Sequence, residues 1–139
     1  MTITTVPATE KNYGSRGILA LAGIVAIAIA ATILLAPGAF YSGYGIDVAG
    51  NPTLANELKA PSGALLVAGI VMFAGVVRRS WLAPALATAA IVYLSYGFGR
   101  FISIALDGMP HTGMVSAAVI EVVIGALCAN ALLRIRRSE

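Results

Sequence analysis

Charged residues are scarce in this sequence, and their scarcity excludes a protein that is surrounded by water. Only 11% of the residues are charged, whereas an average soluble domain has about 25%. Hydrophobic residues make up 59% of the chain, and the mean hydropathy is +0.91. A surface with so few charges is suited to lipid. The composition therefore predicts an integral membrane protein whose main partner is membrane lipid.

Cysteine and histidine are each represented by one residue, Cys128 and His111. A single cysteine excludes an intramolecular disulfide and a multi-cysteine metal site, and a single histidine gives little support to any other metal site. The sequence also lacks a phosphate-binding glycine loop, a nucleophile elbow and a paired-histidine motif. We therefore predict no metal and no cofactor. The basic residues, despite a pI near 9.4, lie at the ends of apolar runs and not on one face, which argues against nucleic-acid binding.

What the chain does contain is four long apolar runs, over residues 17–35, 54–77, 81–106 and 113–133. As a helix, the first run spans roughly 28 Å, close to the ~30 Å hydrocarbon core of a bilayer. A secretory signal is the competing interpretation of this run, but the run is longer than a usual signal core and further runs follow it. The pattern predicts an all-α, integral membrane four-helix bundle over residues 16–137, after a disordered tail over residues 1–15.

Two boundaries carry local signals. Residues 40–51 are predicted to be a loop whose aromatic rings lie at the level of the lipid headgroups, an interpretation preferred to ligand stacking. Asn51 and Pro52 resemble a helix cap followed by a first-turn proline, so the second helix should start there. Pro61 then leaves two alternatives open: the helix continues through it with a kink, or residues 52–59 form a separate interfacial helix.

The distribution of basic residues predicts the topology. An even number of spans places both termini on one side of the membrane, and seven of the nine basic residues fall on that side. The positive-inside rule makes that side cytoplasmic. These seven residues are Lys11, Arg16, Arg78, Arg79, Arg134, Arg136 and Arg137.

The third run carries a polar stripe, in which side chains recur at spacings of three and four residues and therefore share one helix face. Its members are Tyr93, Tyr96, Arg100, Ser103 and Asp107. Arg100 lies ten residues before Pro110 and Glu121 lies eleven after it, so an antiparallel hairpin would bring the two to one depth. Because an unpaired charge inside a bilayer costs roughly 2.5–3.5 kcal/mol, we predict an Arg100–Glu121 ion pair.

Other polar residues are expected near this pair. We predict a charged cluster in which Glu57, Asp107 and Glu121 surround Arg100, with one acid protonated or a further cation bound. Tyr93, Tyr96, Ser103 and His111 are candidates for the lining of an associated pocket. The cluster could serve to join the helices, or it could line a polar pocket open to the outer side.

Three stretches carry a resemblance to a known family. They are Ala36-Pro37-Gly38 with the loop through Ile46, then Asn56-Glu57-Leu58-Lys59-Ala60 with Gly63, and then Tyr96-Gly97-Phe98-Gly99-Arg100 with Asp107-Gly108-Met109-Pro110 and Glu121. Together they resemble domain of unknown function 4345, a family of small bacterial membrane proteins, and the wider DoxX- and DoxD-like group of four-helix proteins. The resemblance implies a bacterial inner membrane, and it implies that Glu57, Arg100, Asp107, Gly108, Pro110 and Glu121 occupy the family's polar positions. It implies no established activity.

Three function hypotheses follow. The first is a protein without enzymatic activity that binds a small lipophilic or cationic molecule, or a partner subunit, through the cluster. The second is a compact membrane enzyme of the isomerase or cyclase type, in which Glu57, Asp107 or Glu121 acts as general acid beside Arg100. The third is a proton-coupled transporter that works as an oligomer through Glu121. The sequence leaves open whether the chain forms a homo-oligomer.

Overall fold

The computed structural model describes residues 13–137, and every regular element in that range is helical. The elements are α1 (Tyr13–Leu35), α2 (Pro37–Ser42), α3 (Pro52–Val77), a 3-10 turn (Arg79–Trp81), α4 (Leu82–Asp107) and α5 (Thr112–Arg136). Four of these helices, α1, α3, α4 and α5, are long and apolar enough to cross a membrane. The chain is thus an all-α protein with the helices of a multi-pass membrane protein.

The helix boundaries correct the predicted ones in two places. Helix α1 begins at Tyr13, so residues 13–15 belong to the first span and not to the tail; the remainder of the predicted tail lies outside the described residues. The predicted loop over residues 40–51 is also wrong in its first part, because α2 covers Phe40 and its neighbours. The reason is local: Pro37 occupies the first turn of α2, where a proline favours helix initiation.

The start of α3 agrees with its predicted signal. The side chain of Asn51 accepts a hydrogen bond from the backbone N–H of Leu54 at 3.0 Å, which satisfies one of the free donors of the first turn. Helix α3 then continues through Pro61 without interruption, so residues 52–59 belong to this helix and do not form a separate interfacial one. One residue later, the Ser62 hydroxyl donates to the Leu58 carbonyl at 2.9 Å. This bond keeps a buried polar side chain satisfied within its own helix.

The bundle is assembled from two helical hairpins. Helix α1 packs most extensively against α3, and α4 packs most extensively against α5, while α3 and α4 join the two hairpins. The end of the bundle where the chain passes from α3 to α4 carries most of the arginines, and we call it the basic end. Its described basic residues are Arg16, Arg78, Arg79, Arg134, Arg136 and Arg137. The opposite end, with residues 36–51 and 108–111, is the loop end.

The closely packed core lies in the half of the bundle toward the basic end. It is built largely from small side chains, which allow helices to approach closely. Its members include Leu19, Ala22, Ala26, Met72, Ala85, Leu86, Ala89 and Cys128, each at most 1% exposed. Fewer of the buried side chains lie in the half toward the loop end.

Candidate functional site

A cavity of about 390 Å³ lies between the helices in the half of the bundle toward the loop end. Helices α1, α3, α4 and α5 each contribute to its wall, and residues of α2 and the turn after it contribute to the part nearest the loop end. Most of the wall is apolar. The larger aliphatic side chains in it are Val25, Ile29, Ile33, Leu58, Leu65, Val92 and Ile120.

One ion pair forms part of this wall, and it is the pair that the sequence predicts. Nε of Arg100 on α4 donates to both carboxylate oxygens of Glu121 on α5, at 3.2 Å to Oε1 and 2.9 Å to Oε2. The Arg100 side chain is 35% exposed and that of Glu121 is 15% exposed. Arg100 and Glu121 both line the cavity. The guanidinium and the carboxylate therefore border a mainly apolar space, and their opposite charges neutralise each other.

Tyrosine residues complete the polar part of the wall. Tyr41 from α2, Tyr44 from the following turn and Tyr96 from α4 all line the cavity. Burial raises the pKa of Tyr41 above its ordinary value, while the positive charge of Arg100 has a smaller, opposing effect. The Tyr41 hydroxyl therefore stays protonated at neutral pH and is able to donate a hydrogen bond.

The aromatic residues of α2 and of the turn after it pack on one another. The ring centroids of Phe40 and Tyr41 are 5.1 Å apart, and those of Phe40 and Tyr44 are 5.7 Å apart. Tyr44 also meets the ring of His111 edge-on at 5.7 Å. These contacts attach α2 to the turn between α4 and α5, and they hold the aromatic rings over the loop end of the cavity.

Tyr93, a predicted pocket residue, does line the cavity, but its hydroxyl is already engaged. It is 4% exposed, and its hydroxyl donates to the backbone carbonyl of Ala22 on α1 at 2.7 Å. The bond joins the two hairpins at the boundary between the cavity and the closely packed core. Tyr93 thus contributes its ring to the wall and its hydroxyl to the structure.

The structure does not assemble the predicted cluster of three carboxylates around Arg100. Within residues 13–137, Arg100–Glu121 is the one ion pair. Asp107 is exposed at the end of α4 and accepts a hydrogen bond from Ser103 at 2.9 Å, and neither residue lines the cavity. Glu57 is exposed near the start of α3, and it too lies outside the wall.

His111 has a local structural role. Its Nδ1 accepts a hydrogen bond from the backbone N–H of Gly113 at 3.1 Å, which caps the start of α5. It is exposed and is not part of the cavity wall. No group of three or more His, Cys, Asp and Glu side chains in the described part of the chain is placed to hold a metal ion.

The residues that sequence reasoning missed are the aromatic side chains of α2 and its turn. The sequence predicts an interfacial belt for Phe40, Tyr41 and Tyr44 but gives no sign that they line a cavity, as they do in the structure. A signal was available in Ala36-Pro37, because a proline in the first turn followed by small and aromatic residues is compatible with a short helix. The orientation of that helix relative to the bundle depends on tertiary packing, and no sequence pattern predicts it.

Chemically, the cavity has apolar walls and a polar patch at one side, formed by Arg100, Glu121 and the tyrosine hydroxyls. Such a combination can hold an apolar body and orient one polar group. Glu121 is the one carboxylate among the described residues of the wall, and it is bound to Arg100.

Comparison with known proteins identifies a family for nearly the whole chain. The model of the family described as Domain of unknown function (DUF4345) matches residues 14–132. The match includes α3 and α4, nearly all of α1, α5 up to residue 132, and every residue of the cavity wall. No curated protein and no solved structure is significantly similar to the chain.

Proposed function

We propose, from the premise that this chain belongs to the DUF4345 family of unknown function, that it is a membrane protein that binds a small, mainly apolar molecule between its four helices. The observation that carries the proposal is the cavity itself. Its volume of about 390 Å³ falls within the range typical of sites for small organic ligands. Non-covalent contacts with the residues of the wall would be enough for such binding.

The composition of the wall supports a lipophilic ligand over a cationic one. Aliphatic side chains from all four long helices surround most of the space, so that burial of an apolar ligand is favourable. A cation would instead have to compete with the guanidinium of Arg100 for the carboxylate of Glu121. Of the two ligand classes that the sequence left open, the lipophilic class is therefore the one we propose.

The enzymatic alternative has less support. Acid–base chemistry of the isomerase or cyclase type is expected to place two acids on opposite sides of a reacting centre. Glu57 and Asp107 do not face the cavity, and Glu121 is held by Arg100. A proton-coupled transporter would need Glu121 to be accessible from both sides, but the closely packed core lies between the cavity and the basic end.

The proposed setting is a bacterial inner membrane with the basic end in the cytoplasm. The arginines at that end follow the positive-inside rule. The cavity and α2 would then lie in the outer half of the membrane, where a lipophilic molecule can enter from the bilayer or from the outer surface.

Photolabelling tests the proposal. The probe is an uncharged aliphatic diazirine with a decyl chain, added to the purified protein in mild detergent, with the labelled peptides identified by mass spectrometry. We expect saturable labelling within residues 25–33 of α1 and 114–121 of α5, the two segments that contain the cavity-lining residues of these helices. Labelling that rises linearly with probe concentration, as it does on a lipid-facing surface, would contradict a binding site.

A matched pair of variants on α5 serves as the control. Ala117 lines the cavity, whereas Ala126, on the same helix, is exposed outside it. Ala117→Trp should fill the space and abolish saturable labelling, and Ala126→Trp should leave it unchanged. Equal labelling of the two variants would show that the probe binds elsewhere.

A further inference from the structure

The guanidinium of Arg100 is only partly used by its ion pair. The contact with Glu121 is made through Nε, and a guanidinium carries further N–H donors on both terminal nitrogens, Nη1 and Nη2. Within residues 13–137 these terminal donors have no hydrogen-bond partner, although Arg100 lines the cavity. The pair with Glu121 fixes the guanidinium in place and leaves its outer edge available to a ligand.

Tyrosine hydroxyls add donors beside this edge. Tyr41 and Tyr96 both line the cavity, as Arg100 does, and Tyr96 lies four residues before Arg100 on the same face of α4. In the part of the chain that the structure describes, neither hydroxyl bonds to another residue, in contrast to the hydroxyl of Tyr93. The polar side of the cavity is therefore rich in free hydrogen-bond donors, whereas each carboxylate oxygen of Glu121 already accepts a bond from Nε of Arg100.

The charge of the wall limits what a ligand head can be. Arg100 and Glu121 together are neutral, so an anionic head would add an uncompensated negative charge in an apolar surrounding. A cationic head would need the carboxylate that Arg100 holds. An uncharged acceptor oxygen bonds to the free donors and leaves the ion pair intact, and it is the head that the wall accommodates at the lowest cost.

We propose that the ligand of this cavity is an uncharged amphiphile, in which an apolar body lies against the aliphatic wall and a carbonyl oxygen accepts hydrogen bonds from Arg100, Tyr41 and Tyr96. This inference rests on the proposed binding function and adds the chemical class of the ligand. A ketone, ester or amide carbonyl would provide this uncharged acceptor oxygen. Two sources share this chemistry: a freely diffusing small molecule, and the ester carbonyl of a bilayer lipid.

Competition against the decyl diazirine probe tests the class of ligand. The competitors share one alkyl chain and differ in the head: methyl decyl ketone, undecanoate, decylammonium and decane. We expect the ketone to displace the probe at a concentration roughly tenfold lower than decane does, because its oxygen accepts hydrogen bonds that decane cannot make. Equal potency of ketone and decane, or the highest potency for undecanoate, would overturn the assignment of a neutral acceptor head.

The two proposals fail in different ways. If the probe does not label the cavity in a saturable manner, the binding function itself is wrong. If the cavity is labelled but the competitors do not differ, only the class of ligand is wrong. A short-chain diacylglycerol, added as a further competitor, separates the sources: competition at the potency of the ketone assigns the acceptor to lipid esters, and competition by the ketone alone assigns it to a free small molecule.

Conservative variants locate the head. Tyr41→Phe and Tyr96→Phe remove one hydroxyl each and keep the ring, so each should weaken the ketone about three- to tenfold and leave decane unchanged. Arg100→Lys keeps a charge for Glu121 but removes the planar fork, and it should have the same selective effect. Tyr13→Phe, at an exposed position on α1 outside the cavity, is the control and should change neither competitor. Loss of decane and ketone potency in equal measure would show that these side chains only shape the wall.

Discussion

Nε of Arg100 donates to both carboxylate oxygens of Glu121, although 21 residues separate the two in sequence. The pair joins α4 to α5 at the wall of the cavity, where both charged side chains are partly buried. The sequence left two alternatives for these charges, joining the helices or lining a pocket. The pair does both, because one side of the guanidinium bonds to α5 while the other side borders the cavity.

A double-mutant cycle should reveal this coupling. Arg100→Met or Glu121→Leu alone leaves the partner as an unpaired charge and should lower the free energy of unfolding by about 2–3 kcal/mol. The double variant removes both charges and should recover at least half of that loss. Unfolding by SDS titration in mixed micelles measures the effect. Ser103→Ala with Asp107→Ala, an exposed polar pair on α4, is the control cycle and should show little coupling.

If the losses in Arg100→Met and Glu121→Leu simply add in the double variant, the pair contributes no coupling energy. The ion pair would then be a consequence of the packing of α4 on α5 and not one of its causes.

The hydrogen bond from Tyr93 to the backbone of α1 supplies a second prediction. Tyr93→Phe keeps the buried ring and removes the hydroxyl that donates to Ala22 at 2.7 Å. The free energy of unfolding should fall by about 1 kcal/mol, the usual contribution of such a bond. Tyr96→Phe, whose hydroxyl bonds to no described residue, should be close to neutral in the same titration. A Tyr93→Phe variant as stable as the wild type would show that water or lipid replaces the bond at no cost.

The ion pair could be predicted because it follows from helix geometry and from the cost of burying an unpaired charge. Once the turn is placed near Pro110, the rise per residue brings Arg100 and Glu121 to one depth, and the cost of isolated charges in lipid favours their contact. The four spans were predictable for the same kind of reason, since a bilayer demands apolar helices of a set length.

The wider cluster could not be predicted because it depends on how the helix ends are oriented. The three- and four-residue spacing places Ser103 and Asp107 on the face of Arg100. Helix α4, however, extends past the cavity, so these two residues emerge at the loop end and bond to each other. Helix α2, in turn, brings Tyr41 back over the cavity, and no periodicity in the sequence encodes that direction.

Glycines at the α4–α5 contact give a third prediction. A Cβ at Gly97 would come within 2.6 Å of Val122 Cγ2 and 3.3 Å of the Ala118 carbonyl oxygen, whereas a Cβ at Gly99 would meet nothing within 4 Å. Gly97→Ala should therefore push α5 away and destabilise the fold by about 1–3 kcal/mol. Gly99→Ala, two residues away on the same helix, should be neutral or slightly stabilising.

The measurement is again the free energy of unfolding, with the Arg100–Glu121 coupling as a second readout, because a displaced α5 would separate that pair. Equal stability of Gly97→Ala and Gly99→Ala would mean that α4 and α5 lie farther apart than the structure indicates.

Cysteine labelling in intact cells tests the orientation of the bundle, the last prediction. Ala49→Cys places a thiol on the exposed connection between α2 and α3 at the loop end, and Ser80→Cys places one in the exposed 3-10 turn at the basic end. The native Cys128 is fully buried, so the wild-type chain should remain unlabelled. Because arginines are retained on the cytoplasmic side, a membrane-impermeant maleimide should label Ala49→Cys in intact cells and Ser80→Cys only after lysis. The reverse pattern would place the cavity in the cytoplasmic half of the membrane and remove the outer side as a route for its ligand.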